Sequence, residues 1–342
     1  MIQVKYSPYT LVPINFSRDD FRLNAKTTNP LREGALLRIE WLQKQAKAPT
    51  PLVGYADLFP WPEFGDKPLL EQFEMFKRRK ISNIFSQAVA LAKHDADLRQ
   101  RRVNGFAGLN PVSNHFTAVN PAALSIGDMR QIAMEGFQSV KLKFDTDIIE
   151  AVRVIHELVL STSFRLRLDF NSCLNLELFT DFVNQLSLVA RARIEFVEDP
   201  MPWDLEHWTQ AHQLLPLALD FEYEKVNFRN FQLSAPFKVI VIKPARQNVD
   251  NILKEAFRLA CKIVITSSMD HPVGVAHAAL IAAELKKHHP NTVLDCGLMT
   301  LDLYQKTEFH QLIKYSGPSI FSTIGHGIGF DGFLQRINWK NI

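Results

Sequence analysis

Along the middle of the chain, short apolar runs alternate with stretches of helical spacing, and each run stops at a charged or hydroxyl side chain. The stops are Lys143, Asp169, Glu198, Asp220, Lys243 and Ser267, in the contexts SVKLKFD, RLRLDFN, IEFVEDP, LALDFEY, VIVIKPA and VITSSMD, spaced 22 to 29 residues apart. Each interval is long enough for a strand, a covering helix and two short loops, which makes a repeating β–α unit. HFTAVN at residues 115–120 supplies a strand before the six and VLDCGLMTLD at residues 293–302 one after them. Eight such strands match the closure number of a β/α barrel, in which the strand ends converge on the face that carries the chemistry.

The first hundred residues follow a different pattern. Residues 1–14, 35–43 and 52–60 alternate or cluster apolar positions as strands, with Asn29-Pro30 and Gly34 expected at the turn between the first two. LLEQFEMFKRRK and ISNIFSQAVALAKHDADLRQRR then space their apolar residues as helices, turning Phe73, Phe76, Ile81, Ile84, Phe85, Val89 and Leu91 broadly to one side. Residues 1 to about 105 therefore read as an α+β unit ahead of the repeat. In the tail, FSTIGHGIGFDGFL has three glycines but no helix signal after them and no acidic residue at the distance a dinucleotide site needs. It reads as a turn-rich strap returning to the N-terminal unit.

Bulk properties narrow the field. A chain of 342 residues admits two domains, or one barrel with an attachment. With 46% hydrophobic and 22% charged residues it is an ordinary globular composition rather than a disordered one. A formal charge of +3 gives no reason to expect a nucleic-acid partner, and the basic runs at residues 77–80 and 99–102 read as solvated helix faces. The three cysteines are far apart and without CxxC spacing, which suggests neither a disulfide framework nor a zinc site. The N-terminus lacks a signal-like pattern and no apolar run is long enough to cross a bilayer, so the expectation is a cytoplasmic protein with no membrane partner.

Three acids, Asp169, Glu198 and Asp220, end successive strands. Crowded in a barrel mouth without a counter-charge they would repel one another and resist ionisation, and a divalent cation resolves that conflict. All-oxygen ligation points to a hard ion, with Mg2+ the expected one. The bland alternative, that each acid merely caps a strand or helix, suits one acid better than three. Lys141 and Lys143 share a strand face by the period of two. Mutual repulsion, burial and a nearby metal are expected to lower their pKa values and free a neutral amine to act as base. Strand order puts Lys243 across the mouth. Metal plus lysine suits removal of a proton α to a carboxylate, where the enediolate needs charge stabilisation. Of Arg165 and Arg167, at least one is expected to point inward and need a carboxylate.

KLK at residues 141–143, LDFN at 168–171, VEDP at 197–200, ALD at 218–220 and IKP at 242–244 together resemble the muconate-lactonizing subgroup of the enolase superfamily, over nearly the whole chain. Lysine bases working beside Mg2+ are a known property of that superfamily rather than an inference from this chain. VGYADLFPWPEFGD, SSMDHPVG and CGLMTLDLY look most like the o-succinylbenzoate synthase family within it. The resemblance implies an α/β fold: an α+β capping domain over residues 1–105, a (β/α)7β TIM-like barrel over 106–316, and a tail from about 317 to 342 packed on the cap. It implies Mg2+ held by Asp169, Glu198 and Asp220. Lys143 would take the α-proton and return it to the departing hydroxyl, Lys141 would orient and polarise the site, and Lys243 would stabilise the enediolate from the opposite side. Asn171, Ser267, Ser268, Gly297 and Leu298 would line the substrate.

The implied reaction is the syn dehydration of 2-succinyl-6-hydroxy-2,4-cyclohexadiene-1-carboxylate in menaquinone biosynthesis, by a monomer or homodimer acting on a small carboxylate. Cap loops near residues 23–31 and 59–66 would close over the pocket. The chain departs from the family pattern in two places. It reads Asp220-Phe221-Glu222 where DES is usual, and SSMDHPVG where SSxES is usual, with His271 expected on a surface loop. His271 and His277, six apart, fit no zinc motif. Competing activities with the same machinery are an N-succinylamino acid racemase, a dipeptide epimerase and a cycloisomerase, and outside catalysis a barrel that only binds a metal or metabolite.

Overall fold

A computed structural model describes residues 2–14, 31–42, 51–321 and 323–342. Strands β1 (Ile2–Leu11), β2 (Arg32–Trp41) and β3 (Leu52–Leu58) form an antiparallel meander, covered by helices α1 (Leu69–Lys77) and α2 (Asn83–Gln100). Leu37, Ile39 and Ala56 of the sheet bury against Phe73, Phe85, Ala88 and Ala92 of the helices. Ser82 starts α2, its Oγ accepting the Phe85 N–H at 3.2 Å and so satisfying a donor the helix leaves open. Gly34 does not mark a turn. It lies inside β2 opposite Tyr9, where a Cβ would run into the Tyr9 ring, and the Asn29-Pro30 turn lies outside the described residues. Ile81 also departs from the expected apolar face: it precedes the cap of α2 and is 52% exposed.

The chain then passes β4 (Val112–Ser113) and enters the repeat: β5 (Phe116–Ala118), α3 (Ile126–Met134), β6 (Ser139–Lys143), α4 (Ile148–Ser161), β7 (Arg165–Asp169), α5 (Leu176–Gln185), α6 (Leu188–Arg193), β8 (Ile194–Glu198), α7 (Leu205–Leu214), β9 (Leu217–Leu219), β10 (Val239–Ile242), α8 (Val249–Arg258), β11 (Lys262–Ile265) and α9 (Pro272–His288). Strands β5 to β11 pair in parallel in sequence order. Between β9 and β10 the expected helix is replaced by two 3-10 turns, Phe221–Lys225 and Phe228–Asn230. Aromatic packing of Trp203, Phe228, Phe231 and Phe237 fills the space a helix would occupy.

The expected eighth strand is a run of single bridges rather than a regular strand. Val293 bridges Ile263, Gly297 bridges Thr266 and Cys296 bridges Asn114, so the segment joins the two free edges of the sheet and the barrel closes. Inside it, Phe196, Ala218, Val239, Val241 and Val264 form their own apolar cluster, while the outward residues of the strands bury under the helices. The fold is thus α/β, a parallel barrel beside an antiparallel α+β unit.

Helix α9 is buried on all sides from Pro272 to Leu280, because the cap covers one side of it and the barrel the other, and it emerges into solvent only in its last turn. The tail adds β12 (Tyr315–Ser316), paired with β13 (Ser319–Ile320), which in turn pairs with β4, then α10 (Asp331–Leu334) and β14 (Lys340–Asn341), which pairs with β1. Arg99, in the second basic run, is not a solvated residue. Its guanidinium bonds Asp95 at 2.7 Å, Asp331 and the Gly329 carbonyl, tying the tail to α2. Lys77, Arg78, Arg79 and Lys80 are exposed. All three cysteines are free, and among the described residues no helix is long and apolar enough to cross a membrane.

Candidate active site

Lys141 and Lys143 alternate on β6 with Val140 and Leu142, which bury in the outer core, so both ammonium groups turn toward the barrel axis. There they meet the acids that end β7 and β8. Lys143 Nζ lies 3.1 Å and Lys141 Nζ 2.9 Å from Asp169 Oδ2, and Lys141 Nζ donates to Glu198 Oε1 at 2.6 Å. Lys243, one residue beyond β10, holds both oxygens of Asp220, one residue beyond β9. Four strand steps separate β6 from β10, half the circuit of an eight-membered barrel, so Lys143 and Lys243 face each other across the mouth.

These charges set one another. Burial alone would raise all three carboxyls. Lys141 and Lys143 overcome it and hold Asp169 well below the usual carboxylate range, and Lys243 with Lys141 lowers Asp220. Glu198 goes the other way: burial, reinforced by Asp169 and Asp220, outweighs the lysines and pushes it up. The expected lowering of Lys141 does not occur. Burial pulls its ammonium down, but the fields of Asp169, Glu198 and Asp220 exceed that effect and its pKa stands above the ordinary lysine value. Among the described residues no three acid, histidine or cysteine side chains surround a ready metal point: the Lys141 ammonium sits between Asp169 and Glu198, and Lys243 holds Asp220. The donor set nonetheless fits a hard divalent ion. It offers carboxylate oxygens from three adjacent strands, two of them already gathered on Lys141 and the third on Lys243, and one of them is still resisting ionisation.

The loops after these strands carry unusual backbone. Asn171, Ser172, Asp199 and Met269 all have positive φ and all follow barrel strands. Such conformations persist only where surrounding contacts enforce them. The Asn171 N–H donates to Asp169 Oδ1 at 3.1 Å, and its exposed side chain stands at the rim. Glu222 is buried and accepts from the Trp203 N–H at 2.7 Å and Ser172 Oγ at 3.3 Å, with Lys225 beside it. It thereby joins the loops after β7, β8 and β9. Ser267 Oγ pairs with Thr300 Oγ1 at 2.7 Å and accepts the Met269 N–H, whereas Ser268 Oγ is buried without a partner among the described residues. Gly297 faces His115, and Leu298 is fully buried, its N–H donating to Asn114 Oδ1 at 2.9 Å.

Arg167 lies entirely inside the barrel, and Arg165 lies at its open lower edge. Arg167 donates to Glu195 Oε2 at 2.6 Å, to the Asp295 carbonyl at 2.6 Å and to His115 Nδ1 at 2.8 Å, with its guanidinium 5.0 Å over the Phe196 ring. Arg165 pairs with Glu195 and Asp295. Because an arginine can only donate, His115 Nδ1 must accept. Burial and the positive charges of Arg167, Lys141 and Lys143 keep that imidazole neutral. Sequence reasoning passed over His115 and Asp199. Asp199 is buried and accepts the backbone N–H groups of Asp220, Phe221 and Glu222, which shapes the turn carrying Asp220. Its place in VEDP and that of His115 in HFTAVN were the available signals.

His271 is not a surface residue. It is 3% exposed, its Nδ1 accepts the Val273 N–H at 3.2 Å at the start of α9, and its ring packs between Tyr9 and Phe309. Cap residues 59–66 lean on the barrel loops: Trp61 Nε1 donates to the Ser268 carbonyl at 3.1 Å, and Asp66 takes Arg246 at 2.7 Å. Nearly all of the other cap loop, residues 23–31, lies outside the described residues.

Residues 4–98 match the family model described as "O-succinylbenzoate synthase, N-terminal domain". An o-succinylbenzoate synthase of Bdellovibrio bacteriovorus is 37% identical over 343 aligned residues, covering 100% of this chain and 99% of that protein. Among solved structures, the L-Ala-D/L-Glu epimerase of Bacillus subtilis superposes with a TM-score of 0.72 at 18% identity, covering 96% of this chain and 98% of the other. A member of the enolase superfamily from Roseovarius nubinhibens superposes at 0.69 and 12%, covering 96% and 95%. At such identities the two structures speak for the fold, and the full-length relative speaks for the family. The chain belongs to the o-succinylbenzoate synthase family, lyases of the enolase superfamily.

Proposed function

We propose that this protein dehydrates 2-succinyl-6-hydroxy-2,4-cyclohexadiene-1-carboxylate to o-succinylbenzoate with Mg2+ as its ion, a step of menaquinone biosynthesis. The observation that carries the reading is the opposition of Lys143 and Lys243 across a mouth whose acids lie between them. Asp169, Glu198 and Asp220 would hold Mg2+, which would bind the substrate carboxylate and stabilise the negative charge developing there. Lys143 removes the α-proton and, on the same face, delivers it to the departing hydroxyl, so that water leaves syn. Lys243 answers the developing charge from the opposite side, and Lys141 keeps the carboxylates oriented. Ser267, Ser268, Gly297 and Leu298 bound the succinyl end, Asn171 the rim beside Asp169, and the cap segment 59–66 excludes water.

The test is turnover of that substrate by purified protein, after chelation and after Mg2+ is restored. Mg2+-dependent dehydration that is lost in Lys143→Ala supports the proposal. Faster racemisation of N-succinylamino acids or dipeptides, abolished in both directions by Lys243→Ala, would replace it with a two-base reaction. No turnover of any succinyl-bearing acid after metal restoration would leave a binding role.

A further inference from the structure

At the seam between cap and barrel, two carboxyl groups meet with no cation bonded to either among the described residues. Asp57, on β3, and Asp270, between β11 and α9, are 4% and 1% exposed. Tyr9 Oη donates to Asp57 Oδ1 at 2.6 Å and the His271 N–H to Asp57 Oδ2 at 3.0 Å, while Asp270 Oδ1 is buried with no hydrogen-bond partner among the described residues. The second oxygens of both acids converge beside Gly274, where a Cβ would strike the Asp270 carboxyl and stand 3.0 Å from Asp57 Oδ2. Only a residue without a side chain lets α9 approach this pair.

Among the described residues, the charges that face the pair compensate it only in part: Arg246 lowers Asp270, but by less than burial raises it. The guanidinium groups nearby in field, Arg246 and Arg32, are paired with Asp66 and Glu63. Burial keeps the Tyr9 and Tyr304 hydroxyls protonated, and it lowers His271, with His310 beside it, to about 3. Burial first, then the field of Asp270, raises Asp57 well above its ordinary value, and burial pushes Asp270 up to about 7. Two such carboxyls side by side cannot both ionise cheaply. The segment they flank is also held by Trp61 Nε1 on the Ser268 carbonyl and by Tyr304 Oη on the Met269 carbonyl at 2.7 Å.

We propose that one of the two buried acids Asp57 and Asp270 stays protonated, and that the pair in this state forms a clasp that seats residues 267–271, and with them Ser267 and Ser268, against the cap; loss of the proton to solvent opens it. The effect on substrate rests on the assignment of Ser267 and Ser268 to the succinyl end. The folded chain keeps a proton that the unfolded chain releases in the ordinary carboxyl range, so the clasp stabilises most at low pH and progressively less as pH rises from that range through about 7.

The experiment measures thermal midpoints, KM and kcat between about pH 5 and about pH 9 for the wild type, Asp57→Asn and Asp270→Asn. Each asparagine removes a charge and keeps a donor. Each is expected to flatten the fall in midpoint with pH, to melt roughly 2–4 °C above wild type at about pH 8, and to remove a rise in KM toward alkaline pH. Asparagine variants that melt below wild type there, with an unchanged slope, would overturn the clasp. A flattened slope without turnover of the succinyl substrate supports the clasp and counts against the proposed reaction. A flattened slope with turnover and an unchanged KM profile overturns the seating of Ser267 and Ser268. If either variant does not fold, Tyr9→Phe, which removes a donor that favours ionised Asp57, must extend the fall in midpoint to higher pH.

Discussion

The mouth of the barrel and the seam beneath the cap both bury aspartates, and they treat them in opposite ways. At the mouth, Asp169 lies between two ammonium groups and is held ionised against burial. At the seam, Asp57 and Asp270 lie side by side among neutral donors, and burial outweighs what those donors and the more distant Arg246 supply. The same residue type at the same depth thus ends as an anion in one place and retains a proton in the other. What decides is the charge of the partner, since burial raises both. The sign for stability follows. Asp169 contributes above the ordinary carboxyl range and loses that contribution as pH falls, whereas Asp270 contributes least as pH rises toward about 7. One arrangement suits binding a cation; the other suits a joint between two rigid bodies.

The sharpest break of this comparison comes at the mouth. Lys143→Ala is expected to lower kcat for dehydration by about 10²–10⁴-fold, and Lys243→Ala by about 10²–10³-fold, in steady-state assays. Near-equal losses in dehydration and racemisation for Lys243→Ala would make it a base rather than a charge stabiliser. Glu198→Gln removes the acid that resists ionisation. Without metal it should melt at or above the wild type, and the Mg2+-induced rise in midpoint, worth roughly 2.7 kcal/mol in the wild type at a hundredfold excess over Kd, should shrink by more than half. A full-sized rise would remove Glu198 from the proposed ligand set.

Glu222 tests whether the loops of the mouth depend on one buried acceptor. Glu222→Ala strands the Trp203 N–H and should destabilise by about 1–3 kcal/mol in thermal or denaturant unfolding, with a several-fold loss in turnover, while Glu222→Gln keeps an acceptor and most of both. Equal behaviour of the two variants would show that the charge rather than the hydrogen bond matters. The smallest effect belongs to the outer part of the seam. His94 on α2 pairs with Glu284 on α9 at 3.3 Å, and that hydrogen bond raises its pKa. A raised histidine stabilises below its unfolded pKa and ceases to do so as pH rises through the folded one. His94→Ala should therefore cost only a few tenths of a kcal/mol at about pH 5.5, after screening at a partly exposed site, and nothing at about pH 8.5.

The barrel was legible because its signal is local. Apolar runs that end in Lys143, Asp169 or Glu198 coincide with the ends of β6, β7 and β8, and the parallel order follows from their succession. The helix expected between β9 and β10 was not legible, since the apolar spacing there belongs to an aromatic cluster around Trp203 and Phe237. Gly34 looked like a turn because glycine usually marks one, whereas here its missing side chain admits the Tyr9 ring from the neighbouring strand. His271 looked like a loop histidine because nothing near it in sequence covers it. Its cover comes from Tyr9 and Phe309, far away along the chain.

By itself, the order of residues determined the alternation of strand and helix, the face each strand turns inward, and the set of acids and lysines that reach a common rim, because all of these follow from periodicity over a few residues. The state of those groups was decided by tertiary structure alone. Whether Lys141 is raised or lowered, whether Asp57 keeps a proton, and whether Glu222 joins three loops depend on which charges and donors stand within a few ångströms in a medium that water does not enter. Such distances are set by contacts between segments tens to hundreds of residues apart, which no local pattern encodes.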